Sequence, residues 1–330
     1  MGDFLLSKTH SIPTQKTRWK GKDDMQTWKT VFVAVALLTA LQTGLADEKK
    51  SEPVEKASAG ARFFSQCILL GAHRGGRHVW PENTVLAFSQ AAARWPHVLL
   101  EGDLLLSRDG EVVVIHDLTV DRTTNGQGLV SDLTLEELKQ LDAAYHFTTD
   151  GGLTYPYRGT GVTIPTLKEA LAAAPNHLFL FEMKEAAGIA EETVQVIRDA
   201  QATDRCILAS VSPLAMRWVR DNAPEIATCY DYVEAMRMLT VYREGDWEDY
   251  APMAQMLAIS TGLEQRFNIT DEEVNAIRKK GILYLVFTVN DRKEMKRLLL
   301  RGIDCVLTDY PDVLEEVIQE VKEPSPPAPD

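Results

Sequence analysis

Short apolar runs alternate with amphipathic segments over most of this 330-residue chain. Turn-forming or charged residues bound each run, which is typical of a buried β-strand. Eight runs are predicted as strands, over residues 67–73, 98–105, 177–183, 206–211, 226–231, 255–260, 282–289 and 304–308. Helices are predicted between most of them, for example over residues 83–94, 166–173, 271–280 and 291–301. Eight strands joined by helical crossovers predict an α/β fold, the (β/α)8 or TIM barrel.

One connection in this pattern is too short to contain a helix. Asp109 and Gly110 form a strong turn signal, so residues 111–116 are predicted to fold back antiparallel on the second strand. A two-residue turn places His116 opposite Asp103 or Glu101, and directly opposed residues share a face. A three-residue loop would turn His116 away from both carboxylates.

The residues after this hairpin, 117–165, lack the alternation of strands and helices. We expect this insertion to lie over the mouth of the barrel and to shape a substrate pocket. The barrel domain as a whole is predicted over residues 63–322, with a linker over 47–62 and a disordered, proline-rich tail over 323–330.

The charge of the chain restricts its partners. The formal net charge is −13, and the predicted barrel has no basic stripe, so we expect no nucleic-acid partner. An acidic protein can process an anionic small molecule where a metal ion and a few cations reverse the local field.

An apolar segment near the N-terminus is typical of a signal peptide. Residues 30–41 are apolar, Lys29 precedes them, and the small residues Gly44 and Ala46 suit cleavage after Ala46. Residues 1–46 are therefore predicted to direct export to the periplasm or the medium, with Met25 as an alternative start. The other interpretation is an N-terminal membrane anchor. No stable membrane span is predicted in the mature form.

Three carboxylates lie inside apolar runs that read as strands. Residues two apart in a strand face the same side. The side chains of Glu101 and Asp103 are therefore expected on one face of their strand, and so are those of Glu182 and Lys184. Burial of an ionised carboxylate costs several kcal/mol unless a cation or strong hydrogen bonds compensate it. A divalent cation with oxygen ligands would remove the repulsion, so these residues predict a metal site.

The first predicted strand ends in a second group of polar residues. His73 stands at its end, and Arg74 offers a planar fork suited to phosphate oxygens. Together with His116, the sequence offers two imidazoles, one to remove a proton and one to protonate a leaving oxygen. This set suits metal-assisted cleavage of a phosphodiester.

Several short motifs occur together in the chain: His73-Arg74-Gly75, Pro81-Glu82-Asn83-Thr84, Glu101-x-Asp103, His116-Asp117, Glu182-x-Lys184, Thr288-Val289-Asn290 and Thr308-Asp309-Tyr310-Pro311. In this order, over about residues 63–320, the chain resembles the glycerophosphodiester phosphodiesterase family. The resemblance implies a TIM barrel of the phospholipase C-like phosphodiesterase type. It also implies one divalent cation, Ca2+ or Mg2+, and hydrolysis of a glycerophosphodiester to sn-glycerol 3-phosphate and an alcohol.

Carried over by position, the resemblance gives each site residue a role. It implies that the metal ligands are Glu101, Asp103 and Glu182, that the general acid and base are His73 and His116, and that the substrate-binding residues are Arg74, Lys184, Asn83 and Phe287. The family usually has tryptophan at the position of Phe287. Among the neighbours of these residues, Glu82 and Asp309 are interpreted as structural, and Asp117 as orienting His116 or anchoring its turn.

The sequence leaves several alternatives open. A phospholipase D-like or lysophospholipase D enzyme would act on intact lipids through the same chemistry and would need an apolar groove beside the site. An inactive barrel that serves as a binding protein is a further alternative. The oligomeric state, the preferred alcohol and the choice between a cyclic phosphate intermediate and direct attack by water are not fixed by the sequence.

Overall fold

The computed structural model describes residue 63, residues 70–184 and residues 188–322. The predicted signal peptide, linker and tail lie outside these residues. The strands are β1 (Leu70–Ala72), β2 (Leu99–Leu106), β3 (Val112–Val114), β4 (Leu178–Met183), β5 (Cys206–Ser210), β6 (Ala227–Thr228), β7 (Met256–Ser260), β8 (Leu283–Phe287) and β9 (Cys305–Thr308).

All strands except β3 are parallel and form a barrel. Their order is β6-β5-β4-β2-β1-β9-β8-β7, and a parallel bridge between Cys229 and Met256 joins the two ends of this series. The predicted eight-stranded barrel is therefore confirmed. Within the described residues, each predicted strand bound agrees with the structure to within three residues.

Helices follow the strands and cover the outside of the barrel. They are α1 (Val85–Arg94), α2 (Leu135–Lys139), α3 (Leu167–Ala173), α4 (Ile189–Asp199), α5 (Pro213–Asn222), α6 (Tyr232–Glu244), α7 (Thr261–Arg266), α8 (Asp271–Lys279), α9 (Arg292–Leu300) and α10 (Pro311–Lys322). Capping boxes at Thr166, Asp231 and Thr270 begin α3, α6 and α8, because each side chain accepts a bond from the N–H three residues on. In the described part of the chain, no helix has the length and apolar character needed to cross a bilayer.

The core has two layers, set by the alternation of side chains along each strand. Leu99, Ile207 and Leu285 belong to the smaller cluster, which fills the barrel interior. Leu100 and Phe179 belong to the larger cluster between the strands and the helices. Because neighbours in a strand face opposite sides, nearly continuous apolar runs are needed to fill both layers.

The insertion after β3 has its own small core. Leu105, Val113, Val130, Leu138 and Ile164 pack together there. This cluster fixes the insertion to the β2–β3 hairpin, so the hairpin and the insertion form one unit at the carboxyl end of β2.

The hairpin differs from its predicted register. Leu104 pairs with Val114 and Leu106 with Val112, and the Ser107 N–H donates to the Glu111 carbonyl at 3.0 Å, so three residues, 108–110, form the loop. Gly110 has φ +85°, which closes a three-residue loop. The two-residue turn predicted from Asp109 and Gly110 is therefore wrong. The Ile115 N–H donates to the Asp103 carbonyl at 2.9 Å, and the strand pairing ends there. The alternation of side chains along β3 therefore does not fix the direction of His116.

Candidate active site

Three acidic side chains meet at the carboxyl end of β2 and β4. Asp103 and Glu182 are paired in the parallel register of these strands, and Glu101 lies two residues before Asp103. One oxygen atom of each carboxylate lies within 4.8 Å of the others. The structure therefore brings together the three residues that the sequence assigned to a metal ion.

Two of these carboxylates have pKa values that are shifted in opposite directions. Burial and the neighbouring Asp103 raise the pKa of Glu101 well above its usual value, although the Arg74 N–H donates to Glu101 Oε2 at 2.8 Å. Burial alone would also raise the pKa of Asp103, but Lys184 and Arg74 hold that pKa below its usual value. Without a further cation, the cluster therefore carries excess negative charge, which disfavours ionisation of Glu101.

Lys184 supplies part of the positive charge at the cluster. Its Nζ lies 2.9 Å from Asp103 Oδ1 and 2.6 Å from Glu182 Oε2. Burial disfavours the ammonium, but Asp103 and Glu182 outweigh it and raise the pKa of Lys184. The lysine is therefore cationic, and its predicted contact with phosphate stays a prediction.

Arg74 adds a second cation from the other side of Asp103. Its Nη1 donates to Glu82 Oε1 at 2.8 Å, and its Nε lies 3.3 Å from Asp103 Oδ2. That Nε is buried and makes no hydrogen bond in the described structure. The next residue, Gly75, has φ +78°, and a Cβ there would lie 2.8 Å from the Cβ of Ala87. The sharp turn that presents Arg74 therefore requires glycine.

Asn83 contacts the cluster through its side-chain amide. Its Nδ2 donates to Asp103 Oδ2 at 2.9 Å, and its backbone N–H donates to the Arg74 carbonyl at 2.9 Å. The asparagine thus holds a carboxylate and the Arg74 turn in place. Its predicted contact with substrate stays a prediction.

His73 is held by a carboxylate from the end of the last strand. Its Nδ1 lies 2.5 Å from Asp309 Oδ1, and its Nε2 lies 3.9 Å from Glu101 Oε2. The other oxygen of Asp309 accepts from Asn290 Nδ2 at 2.8 Å. Sequence reasoning gave Asp309 a structural role, although its position directly after β9 was a signal that it lies at the mouth.

His116 is held in a similar way by its neighbour. Its Nδ1 lies 2.6 Å from Asp117 Oδ1, in agreement with the orienting role predicted for Asp117. The charge of His116 contributes to the lowered pKa of Asp103, so the imidazole lies near the acidic cluster. The structure thus places both histidines at the cluster, despite the altered register of the hairpin.

Arg122 is a site residue that sequence reasoning did not single out. Its Nε donates to Asp117 Oδ2 at 2.6 Å, and its Nη1 and Nη2 donate to Glu82 at 2.8 and 2.7 Å. Burial alone would raise the pKa of Glu82, but Arg122 and Arg74 hold it at about 2. Arg122 thereby ties the insertion to the loop after β1.

Phe287, the remaining predicted substrate residue, ends β8. It is half-buried and packs against the apolar cluster inside the barrel. Its predicted place in the substrate pocket stays a prediction.

The arrangement defines a class of protein before any comparison is made. Both histidines present Nδ1 to a carboxylate, so Nε2 is the ring nitrogen that remains for another partner. Carboxylates, an arginine and a lysine lie beside them at the carboxyl ends of barrel strands, where barrel enzymes have their active sites. The fold and the position of the site are those of a barrel enzyme, with carboxylates, cations and two histidines at the active-site end.

Comparison with known proteins is consistent with this class. The model of the glycerophosphoryl diester phosphodiesterase family matches residues 73–313. A glycerophosphodiester phosphodiesterase of Caldanaerobacter subterraneus is 33% identical over 258 residues, covering 76% of this chain and 98% of the relative. One from Bacillus subtilis is 30% identical over 279 residues, covering 80% and 91%. The chain belongs to the glycerophosphoryl diester phosphodiesterase family.

A solved structure shows the same fold. The phosphodiesterase of Oleispira antarctica, in complex with the product sn-glycerol-3-phosphate, is 28% identical with a TM-score of 0.61. The match covers 78% of this chain and 99% of that structure. The similarity therefore extends over most of this chain.

Proposed function

We propose that this protein hydrolyses glycerophosphodiesters to sn-glycerol 3-phosphate and an alcohol. The observation that carries the proposal is the meeting of Glu101, Asp103 and Glu182 beside two histidines that are each held by a carboxylate. The names of the relatives and the bound product of the Oleispira antarctica enzyme support the same substrate class.

We further propose that the three carboxylates bind one divalent cation. The donor set fits a hard ion such as Ca2+ or Mg2+, since all three ligands offer carboxylate oxygens. The raised pKa of Glu101 indicates that its charge lacks full compensation among the protein's own groups. When bound, such an ion would polarise a phosphoryl oxygen and stabilise developing negative charge.

The proposed roles of the other residues follow from their contacts. His73 and His116 exchange protons at Nε2, one with the attacking oxygen and one with the leaving oxygen. Arg74 and Lys184 bind phosphate oxygens. Asn83 and Phe287 line the same pocket. A cyclic phosphate intermediate and direct attack by water both use this arrangement.

Release of glycerol 3-phosphate from glycerophosphocholine tests the activity. We expect turnover that is lost in EDTA, restored by Ca2+ or Mg2+, and reduced at least about 100-fold in His116→Ala. A panel of substrates with different head groups identifies the preferred alcohol. Lysophosphatidylcholine in the same panel distinguishes an enzyme that acts on intact lipids. Phosphorus NMR during turnover shows whether a cyclic phosphate accumulates. Undiminished turnover in EDTA would contradict the metal proposal, and normal turnover in His116→Ala would contradict the catalytic assignment.

We also propose that the protein is exported, with residues 1–46 removed. The support is the sequence pattern alone: an apolar segment after Lys29 and small residues before the charged residues 47–50. Cell fractionation and N-terminal sequencing of the recovered protein test this. A first residue of Asp47 is expected, whereas a retained apolar segment in the membrane fraction would favour the anchor.

A further inference from the structure

The exposed large hydrophobic side chains are concentrated at one end of the barrel. The described residues include ten such side chains, and seven of them lie on segments that follow β3, β5 and β6, the strands of the active-site end. We call six of these seven, all but Leu153 in the middle of the insertion, the apolar arc: Leu118, Leu129, Val211, Leu214, Tyr232 and Val233. Val211 and Leu214 are 76% and 71% exposed. Single exposed hydrophobics are ordinary on protein surfaces, whereas a concentration beside a site is informative.

The strand order places the members of the apolar arc on one side of the mouth. β6, β5, β4 and β2 are successive neighbours, and β3 pairs with β2. The segments after β7, β8 and β9 lie on the other side, and none of the ten exposed side chains directly follows those strands. Polar residues such as Asn290 and Asp309 occupy that side. The mouth therefore has an apolar side and a polar side.

Cations follow the apolar residues one helical turn further from the mouth. Arg217 comes three residues after Leu214 on α5, and Arg237 comes four residues after Val233 on α6, and both arginines are exposed. Residues three or four apart share a helix face, about 5 Å apart along the axis. Glu234, the acidic residue in the first turn of α6, is bound by Arg220.

This arrangement, exposed apolar residues with arginines one helical turn behind them, suits contact with a phospholipid surface. Aliphatic and tyrosine side chains can enter the boundary of the acyl chains while arginines one turn behind lie at the depth of the phosphates. The residues come from separate segments and no single helix forms the surface, which suits a broad, deformable partner. The net charge of −13 disfavours an anionic membrane, so a zwitterionic surface fits best.

We propose that the apolar arc docks the barrel on a zwitterionic phospholipid surface, with the active-site mouth turned towards the headgroups. This property does not depend on the proposed hydrolysis. It would place the enzyme where deacylated lipid headgroups are released.

A fluorescent probe at a single position tests the docking. The dye NBD is attached to Leu214→Cys and, as the matched control, to Leu300→Cys, which is 68% exposed at the opposite end of the barrel. With phosphatidylcholine vesicles, we expect a blue shift and at least a two-fold rise in emission at position 214 and neither at position 300. Val211→Cys serves as a second probe position. The full chain is used in every sample, so residues 1–46 contribute equally.

A combined variant gives a second, independent measurement. Serine at positions 211, 214, 232 and 233 should reduce cosedimentation with phosphatidylcholine vesicles five-fold or more and leave turnover of soluble glycerophosphocholine unchanged. The control, Met253→Ser with Leu300→Ser, should sediment like the parent. Equal probe responses at positions 214 and 300, or equal losses in the two variants, would overturn the proposal. Stronger binding to anionic than to zwitterionic vesicles would overturn the proposed surface chemistry.

Discussion

Two residues beside the acidic cluster, Arg74 and Asn83, have left-handed backbone conformations, with φ 53° and 56°. Such conformations cost about 1 kcal/mol or more for residues with a side chain, and asparagine tolerates them best. The Asn83 N–H bonds the Arg74 carbonyl, so the two turns support each other. The surrounding contacts thus keep Arg74 and Asn83 in strained backbone conformations. In these conformations the two residues hold the carboxylates of the acidic cluster.

Asp309 is predicted to act through His73. Asp309→Asn should lower kcat by about 100-fold and change KM less than about three-fold, because the residue fixes the imidazole without touching substrate. Asp304→Asn is the control, since Asp304 lies at the other end of the same strand and pairs with Arg278. Steady-state kinetics on glycerophosphocholine, with a pH profile, measure the effect. An equal fall in both variants would indicate general destabilisation instead.

Glu82 is predicted to make stability depend on pH. Its folded pKa of about 2 lies below the ordinary 4.5, so its contribution, roughly 3 kcal/mol, is present above pH 4.5 and lost as pH falls towards 2. Glu82→Gln should therefore lower the unfolding free energy at pH 7 and weaken its decline between pH 5 and 2. Urea unfolding in EDTA at several pH values measures this.

The control for that measurement is Glu320→Gln. Glu320 is exposed and pairs with Arg292 on the outside of the barrel, so the change should leave the unfolding free energy nearly the same at every pH. Parallel stability curves for Glu82→Gln and the parent protein would show that the Arg122–Glu82–Arg74 contacts do not stabilise the fold.

At the scale of elements, β2 connects the site to the core. Glu101 and Asp103 belong to the site, while Gly102 between them faces α1 and β3. A Cβ on Gly102 would lie 3.2 Å from Asn83 Oδ1, Phe88 Cζ and Val114 Cγ1. The absence of a side chain at this position is what allows α1 and the hairpin to approach β2 together.

Gly102→Ala is therefore predicted to displace these elements. The variant should lose about 1–3 kcal/mol of unfolding free energy and several-fold in kcat, because Asn83 is pushed from Asp103. Gly262→Ala is the matched control, since a Cβ there would meet nothing within 4 Å and the residue lies in α7. Urea unfolding and kinetics compare the two, and equal stability would show that the β2–α1 contact is easily adjusted.

At the scale of the whole molecule, ion binding should be coupled to folding. The three carboxylates come from two strands that meet only in the barrel, so an ion that binds them stabilises the folded state. At 100 times its Kd, Ca2+ or Mg2+ should add about 2.7 kcal/mol and raise Tm by several degrees.

Glu182→Gln should remove most of this rise in Tm, as measured by calorimetry with and without the ion. The control is Glu225→Gln, because Glu225 forms an exposed pair with Arg198 far from the mouth. An ion-dependent rise that survives in Glu182→Gln would place the ion elsewhere.

The sequence by itself determined the barrel and most of its site. Strand length, alternation and helix signals are local properties of the sequence. The eight strands, and the placement of Glu101 and Asp103 on one face of β2, therefore followed from spacing alone. The end of each strand also located His73 and Glu182, since parallel strands in a barrel share one carboxyl face.

Tertiary structure decided the contacts that spacing cannot encode. His73 meets Asp309 across 236 residues, and Arg122 meets Glu82 across 40, because the barrel closes and the insertion contacts the loop after β1. The hairpin register depended on Gly110 and on packing of the insertion, which a turn signal does not report. Local periodicity fixes which way a side chain faces, whereas its partner depends on elements that are distant in sequence and converge only in the folded chain.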